Sequence, residues 1–231
     1  MRVRRMLAWI AAAAAALAVT LPPDLKKARD SQDRAALDSI ASRLQAAAQA
    51  NPADPAAQYR AALAELVRAE VLMEQRDRNG ARAAAEAGIR AAEKAVALKP
   101  ADGEYHRVLG ALCAQVIPAN PLLGLRYGKC AMEEVSRAVE LAPKSADAWL
   151  SRGVGNFYLP ESFGGGAELA LKDIEKALQL DPSHADAWLW KGIVLRKLNR
   201  NGEARQAIER SLKLNPARAW ARQQLEKTPA Q

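Results

Sequence analysis

The stretch that decides the fold runs from Ala185 to Pro216, ADAWLWKGIVLRKLNRNGEARQAIERSLKLNP. It reads Trp188-x-x-Lys191-Gly192-x-x-Leu195, then Ala204-x-x-x-Ile208, Ser211 and a closing Pro216. Asn201-Gly202 punctuates the middle, so the stretch reads as two helices joined by a turn. Gly192 and Ala204 are small, which lets two antiparallel helices approach closely. Trp188, Leu195 and Ile208 are the side chains that fill the space between one hairpin and the next. Pro216 stops the second helix, and the residue before it is pushed out of α conformation.

The same register recurs toward the N-terminus. Lys99-Pro100, Ala142-Pro143 and Asp181-Pro182 stand ten residues before Gly110, Gly153 and Gly192, and six before His106, Trp149 and Trp188. Asn51-Pro52 is an earlier, weaker member with Ala62 in the place of the glycine. The spacing between prolines is 34 in the last unit, then 39, 43 and 48 going backwards. The extra residues lie at Leu159–Gly166 and Val116–Leu123.

This pattern resembles the tetratricopeptide repeat, W-x-x-L-G-x-x-Y followed by A-x-x-x-F and a closing proline in a unit of 34 residues. The resemblance covers about residues 52–227 and is strongest over 146–216. Lys191 replaces the usual leucine. It implies an all-α chain, a right-handed α-solenoid of antiparallel hairpins, whose inner wall is lined chiefly by the first helix of each hairpin. That wall is where the family usually holds an extended peptide or a partner's helix. The family's carboxylate clamp uses Lys and Asn at places 5 and 9 of the first helix. Here those places hold Leu150 and Val154, then Leu189 and Ile193, with Arg107 and Ala111 the nearest remnant; the clamp is absent. Phe157, Tyr158 and Trp190 put aromatic surface near the same wall, so an apolar or amphipathic partner segment is expected there, with Arg107, Phe157, Tyr158, Trp190 and Arg196 as the partner-binding residues.

Composition agrees. Alanine dominates, accompanied by Leu, Arg, Glu, Lys and Gln, all strong helix formers, while aromatics make up only 5%. The reading divides the chain into a leader at 1–18, a linker and capping helix at 19–51, four hairpins at 52–216, and a capping helix and tail at 217–231. Arg2, Arg4 and Arg5 precede an uncharged stretch from Met6 to Leu21 with a small-residue site at Ala16-Leu17-Ala18. That is the plan of a secretory signal peptide, and Pro22-Pro23 stops any helix after it. An uncleaved signal anchor, leaving the protein tethered to the membrane, is the alternative. The expectation is therefore export to the periplasm or beyond, and the intact mass of the exported protein tests it: residues 1–18 should be missing.

Lys191 to Lys227 holds ten Lys or Arg against three Glu, a local charge of +7 in a chain of +8. An exported chain seldom meets nucleic acid, so no nucleic acid is expected. An acidic protein face, anionic lipid headgroups or plain solvent remain the readings for this segment. Two histidines, His106 and His184, are all the chain has. His106 takes the place of Trp149 and Trp188 and reads as a packing side chain between hairpins, while His184 reads as solvated. Gly124-x-x-x-Gly128-Lys129-Cys130 is one residue short of a phosphate loop and has cysteine where Ser or Thr belongs. No Ser-His-Asp set, paired-carboxylate motif, metal-ligand set or cofactor fingerprint is present. The expectation is a binding protein, with no enzyme activity, metal or cofactor. Cys113 and Cys130 are the only cysteines. In repeat register they face each other across one hairpin, so a disulfide and two separately buried thiols are both open. Two functions remain: a scaffold or adaptor for partner proteins, or a small-ligand-binding accessory of a transport system. An open apolar groove favours the first, and charged residues converging on a narrow pore favour the second.

Overall fold

Two residues past each repeat proline stands the N-cap of the next helix, so every proline junction is a stop and a start in one. Asp54, Asp102, Ser145 and His184 accept from the backbone N–H of Ala56, Glu104, Ala148 and Ala187 at 2.9, 3.1, 3.2 and 3.3 Å. Each such bond satisfies one of the donors that the first helical turn leaves open. His184 is therefore a cap. It is not solvated as expected, because its ring folds back onto its own helix and reaches Asp147.

The structure, a computed structural model, describes residues 21–230, which form eleven α-helices and three short 3-10 turns. They are α1 Pro23–Asp30, α2 Arg34–Ala50, α3 Pro55–Glu74, α4 Arg78–Leu98, α5 Gly103–Val116, α6 Gly124–Leu141, α7 Ala146–Tyr158, α8 Ala167–Leu180, α9 Ala185–Lys197, α10 Asn201–Leu214 and α11 Ala219–Glu226. Successive helices pair as hairpins, α3 with α4, α5 with α6, α7 with α8 and α9 with α10, with α1–α2 in front and α11 behind. The fold is an all-α solenoid. The leader lies outside the described residues.

The repeat signature has a polar half that the sequence pattern conceals. Trp149 and Trp188 donate their indole N–H to the carbonyls of Pro143 and Pro182, each at 2.9 Å. His106 does the same with Nε2 to Pro100 at 2.8 Å, and Arg222 with its guanidinium to Pro216. One side-chain donor six residues past each of these four prolines thus satisfies a carbonyl that no helix can use. This explains how His106, only 8% exposed, substitutes for a tryptophan. It keeps the packing and the hydrogen bond, each such bond contributing about 1 kcal/mol.

Close approach of the paired helices is visible at Gly192. A Cβ there would lie 2.4 Å from Ile208 Cγ1 and 2.8 Å from the carbonyl oxygen of Ala204. Gly153 meets Ile174 and Ala170 in the same way. Ala204, Ile208, Ala170 and Ile174 are all fully buried. The turns between paired helices differ from the sequence reading at one point. Asn201-Gly202 is already the start of α10, and the turn is made by Asn199 at φ 62°, with Arg200 N–H bonding back to Leu195. Gln32 and Arg76 make the same left-handed turn, with Asp33 and Asp77 bonding back to Ala28 and Leu72. Such a cap needs one residue at positive φ, and Asn tolerates it nearly as well as glycine.

Cys113 in α5 and Cys130 in α6 are joined, with Sγ–Sγ 2.04 Å and Cα–Cα 6.0 Å. The bridge closes the loop that carries the Val116–Leu123 insertion, across a sequence separation of 17. In the chain-entropy account a loop of that length is worth about 3 kcal/mol.

Candidate functional site

The helices that come first in each hairpin form one layer, α1, α3, α5, α7, α9 and α11, in which neighbours touch, α9 and α11 through Trp190 on Trp220 and Arg196 on Gln224. The two ends of this layer meet. Arg218, at the start of α11, bonds Glu74 at the end of α3 and the carbonyl of Arg29 in α1. Arg29 pairs with Asp186 of α9 at 2.9 Å, and Asn215 donates to Asp30 at 2.9 Å. A layer whose ends touch is the inner one, so these helices line the concave wall and α4, α6, α8 and α10 stand outside.

Half of that wall is charged. Tyr59 donates to Glu104 at 2.9 Å; Arg107 holds Glu104 through two bonds and reaches Ser151 of α7 at 3.3 Å. His184 Nε2 meets Asp147 at 3.0 Å. Burial works to raise the Asp186 carboxyl, yet Arg29 and Arg218 hold it down to about 2. Burial acts on Asp147 in the same direction, but His184 and Arg107 outweigh it and leave that carboxyl below its ordinary value.

Glu70 behaves oppositely. Burial, with Glu74 nearby, pushes it up to about 7 against the pull of Arg29 and Arg218. A carboxyl raised in the folded state is favoured there in its protonated form, so ionisation costs stability. That cost is absent below pH 4.5 and grows as pH rises through 7. Glu70→Gln is therefore expected to stabilise the protein at pH 8, by up to about 3 kcal/mol, and to change little at pH 4.5. Urea midpoints at the two pH values check this, and an equal effect at both contradicts it.

The other half of the wall is aromatic. Phe157 and Tyr158 end α7, Trp190 lies on α9 and Trp220 on α11. Ring centroids are 6.0 Å apart for Phe157 and Trp190, 6.1 Å for Tyr158 and Trp190, and 5.4 Å for Trp190 and Trp220, all edge-on. Edge-to-face pairs at such distances are favourable beyond the area they bury. Tyr158 is 65% exposed, so this end of the run is open to solvent. Phe157 and Trp190 are half-buried and pack on both flanking apolar clusters.

Of the residues expected to meet a partner, Phe157, Tyr158 and Trp190 come together on this wall. Arg107 and Arg196, also expected there, both bond within the chain. Arg107 is committed to Glu104 and Ser151 and ties α5 to α7. Arg196 donates to the Gln224 carbonyl, the Gln224 side chain and Thr228, pinning α11. Both guanidiniums find partners inside the chain that lie too far away in sequence to be read from it. Leu150 and Leu189, at the clamp's places, are buried packing residues. Trp220 was overlooked: its signal was a tryptophan at the second position of the helix that follows the last repeat proline. Much of the basic segment is also internally engaged, with Lys191 on Glu175, Arg200 on Glu203 and Arg205 on the Thr228 carbonyl. Lys197, Arg210, Lys213 and Lys227 remain exposed.

These features define the class: an α-solenoid of helical hairpins with a lined inner wall. Residues 164–219 match the family model of the tetratricopeptide repeat. Solved structures agree on the fold. A thermophilic tetratricopeptide-repeat protein of Thermus thermophilus superposes with a TM-score of 0.62 at 18% identity, covering 84% of this chain and 90% of that one. The HusA haemophore from Porphyromonas gingivalis gives 0.56 at 20% identity, covering 75% and 94%. No curated protein sequence matches the chain.

Proposed function

We propose that this chain is an exported interaction scaffold that seats a segment of a partner protein on its inner wall, at Phe157, Tyr158, Trp190 and Trp220. The tetratricopeptide fold supports a protein-binding role in general. The observation that carries this particular site is the run of edge-on aromatic rings across three successive inner helices, with Tyr158 open to solvent. Rigid aromatic side chains supply contact area at low entropic cost, which is what an apolar or amphipathic segment needs. The exposed Lys197 and Lys227, at the ends of α9 and α11, favour an acidic flank on that segment, acting on association rate and weakening with salt. Export rests on the leader sequence. The test is capture of partners by the mature protein and by Trp190→Ala: the partner that the first retains should be lost by the second.

The second reading, a small-ligand carrier, draws on the convergence of charges at the wall. Those charges answer one another, Arg29 with Asp186, Arg218 with Glu74 and Arg107 with Glu104, which makes them struts of the fold. Calorimetry with small anions and cations separates the two readings, since a carrier binds them and a scaffold does not.

A further inference from the structure

The contact that brings the two ends of the inner layer together is unlike the others in the array. Buried apolar clusters hold the hairpins elsewhere. One cluster, with the side chains packed on it, draws all its residues from 21–131, and two others from 146–225. A small cluster of Ala138, Val139 and Ala148 with Trp149 spans the junction between α6 and α7. No cluster of described residues joins α1 or α3 to α9, α10 or α11. That seam is polar: Asn215 to Asp30, Arg29 to Asp186, Gln223 to Gln32 and Arg218 to Glu74.

Polar seams of this kind sit close to balance. Removing ions from water costs several kcal/mol per ion, and pairing offsets this only where every donor and acceptor is satisfied. Here satisfaction is incomplete. Arg218 is almost wholly buried, but its Nε has no hydrogen-bond partner, and the nearest carboxylate oxygens, of Asp186 and Asp30, lie 3.7 and 3.9 Å away. The same guanidinium lies 5.5 Å from the Trp220 ring, which meets Trp190. One residue thus touches both the seam and the aromatic wall.

We propose that this seam is a releasable clasp: α1 and the end of α3 part from α9 and α11, the chain hinges at the thin α6–α7 junction, and release uncovers the Trp220 end of the wall. Opening hydrates every seam ion and frees Arg218 Nε to bond water, while the three larger apolar clusters stay intact, each within its own half. Regulation of partner access rests on the proposed wall; the clasp itself does not, and it is measured with no partner present.

The test uses the purified protein and Arg218→Gln, read by small-angle scattering, amide hydrogen exchange and far-UV circular dichroism. The variant leaves Glu74 and Asp30 facing no guanidinium from α11, so the clasp should stand open. The expected result is unchanged helicity, a larger radius of gyration, and protection lost by about tenfold or more in α1 and α11 with α4 and α5 unaffected. Acrylamide quenching of tryptophan should rise as well, and a Trp220→Phe background should remove that rise. Wild-type size and α1 protection in Arg218→Gln overturn the clasp. If that variant does not fold, Asn215→Ala removes a single seam bond and is read in the same way: selective loss of α1 and α11 protection supports the proposal, and uniform loss or none overturns it. A clasp that opens while partner affinity ignores Trp190 leaves the clasp standing and removes the wall.

Discussion

Gly192→Leu is expected to destabilise the protein by about 3 kcal/mol or more, the upper end of what overpacking costs. The reason is where the new atoms go. A Cβ alone would lie 2.8 Å from the backbone oxygen of Ala204 and 2.4 Å from Ile208 Cγ1, before the rest of the side chain is placed. Ile208 and Ala204 are fully buried and part of α10, so neither can yield without moving that helix. The damage should spread, because α9 also carries Trp188, whose indole closes the preceding proline junction. In an array whose stability is a sum of hairpins and their interfaces, the C-terminal hairpins should melt first and the disulfide-bonded α5–α6 hairpin last. Denaturant unfolding followed by hydrogen exchange checks both parts. A neutral result means that α9 and α10 do not cross at this glycine.

Trp190→Ala carries the second large effect, on binding. Trp190 is the centre of the wall, touching Phe157 and Tyr158 on one side and Trp220 on the other. Tryptophans at the centre of an interface are the residues whose truncation costs most, about 2 kcal/mol or more, which is about a 30-fold loss of affinity. Most of that loss should appear as faster dissociation. Neutralising Lys197 or Lys227 should act on association instead and fade as salt rises, since both stand exposed. Trp190 is only half-buried, so the alanine variant should keep its helicity; a folded variant with undiminished affinity takes Trp190 out of the interface.

The hairpins were legible in the sequence because their signals are local. Proline, glycine and the aromatic six residues after the proline sit at fixed offsets within one unit, and each answers to packing within that unit or against the next. The same locality explains the misses. Helix α1 has eight residues and no side-chain cap, with Pro22 before it, so it carries little of the pattern that marks a helix. Asn201-Gly202 looked like the turn because glycine usually supplies the positive φ, whereas Asn199 supplies it here. His184 looked solvated because nothing nearby in sequence pairs with it, and its partner Asp147 comes from the preceding hairpin. Of the wall, Phe157, Tyr158 and Trp190 were readable from repeat position alone. The internal partners of Arg107 and Arg196 were not, since repeat position says which face a side chain leaves from and says nothing about the acceptor it finds. The clasp was out of reach entirely: Arg218 meets Glu74 and Arg29 across 144 and 189 residues.

The central claim is that a partner lies against the aromatic inner wall, and site-specific photocrosslinking tests it most directly. A photoreactive side chain is placed at Tyr158 on the inner layer, or at the exposed Lys94 on the outer helix α4, and irradiated in the native envelope. The account predicts one discrete adduct from position 158, lost when Trp190→Ala is added, and none from position 94. An adduct from position 94 with nothing from 158 contradicts it.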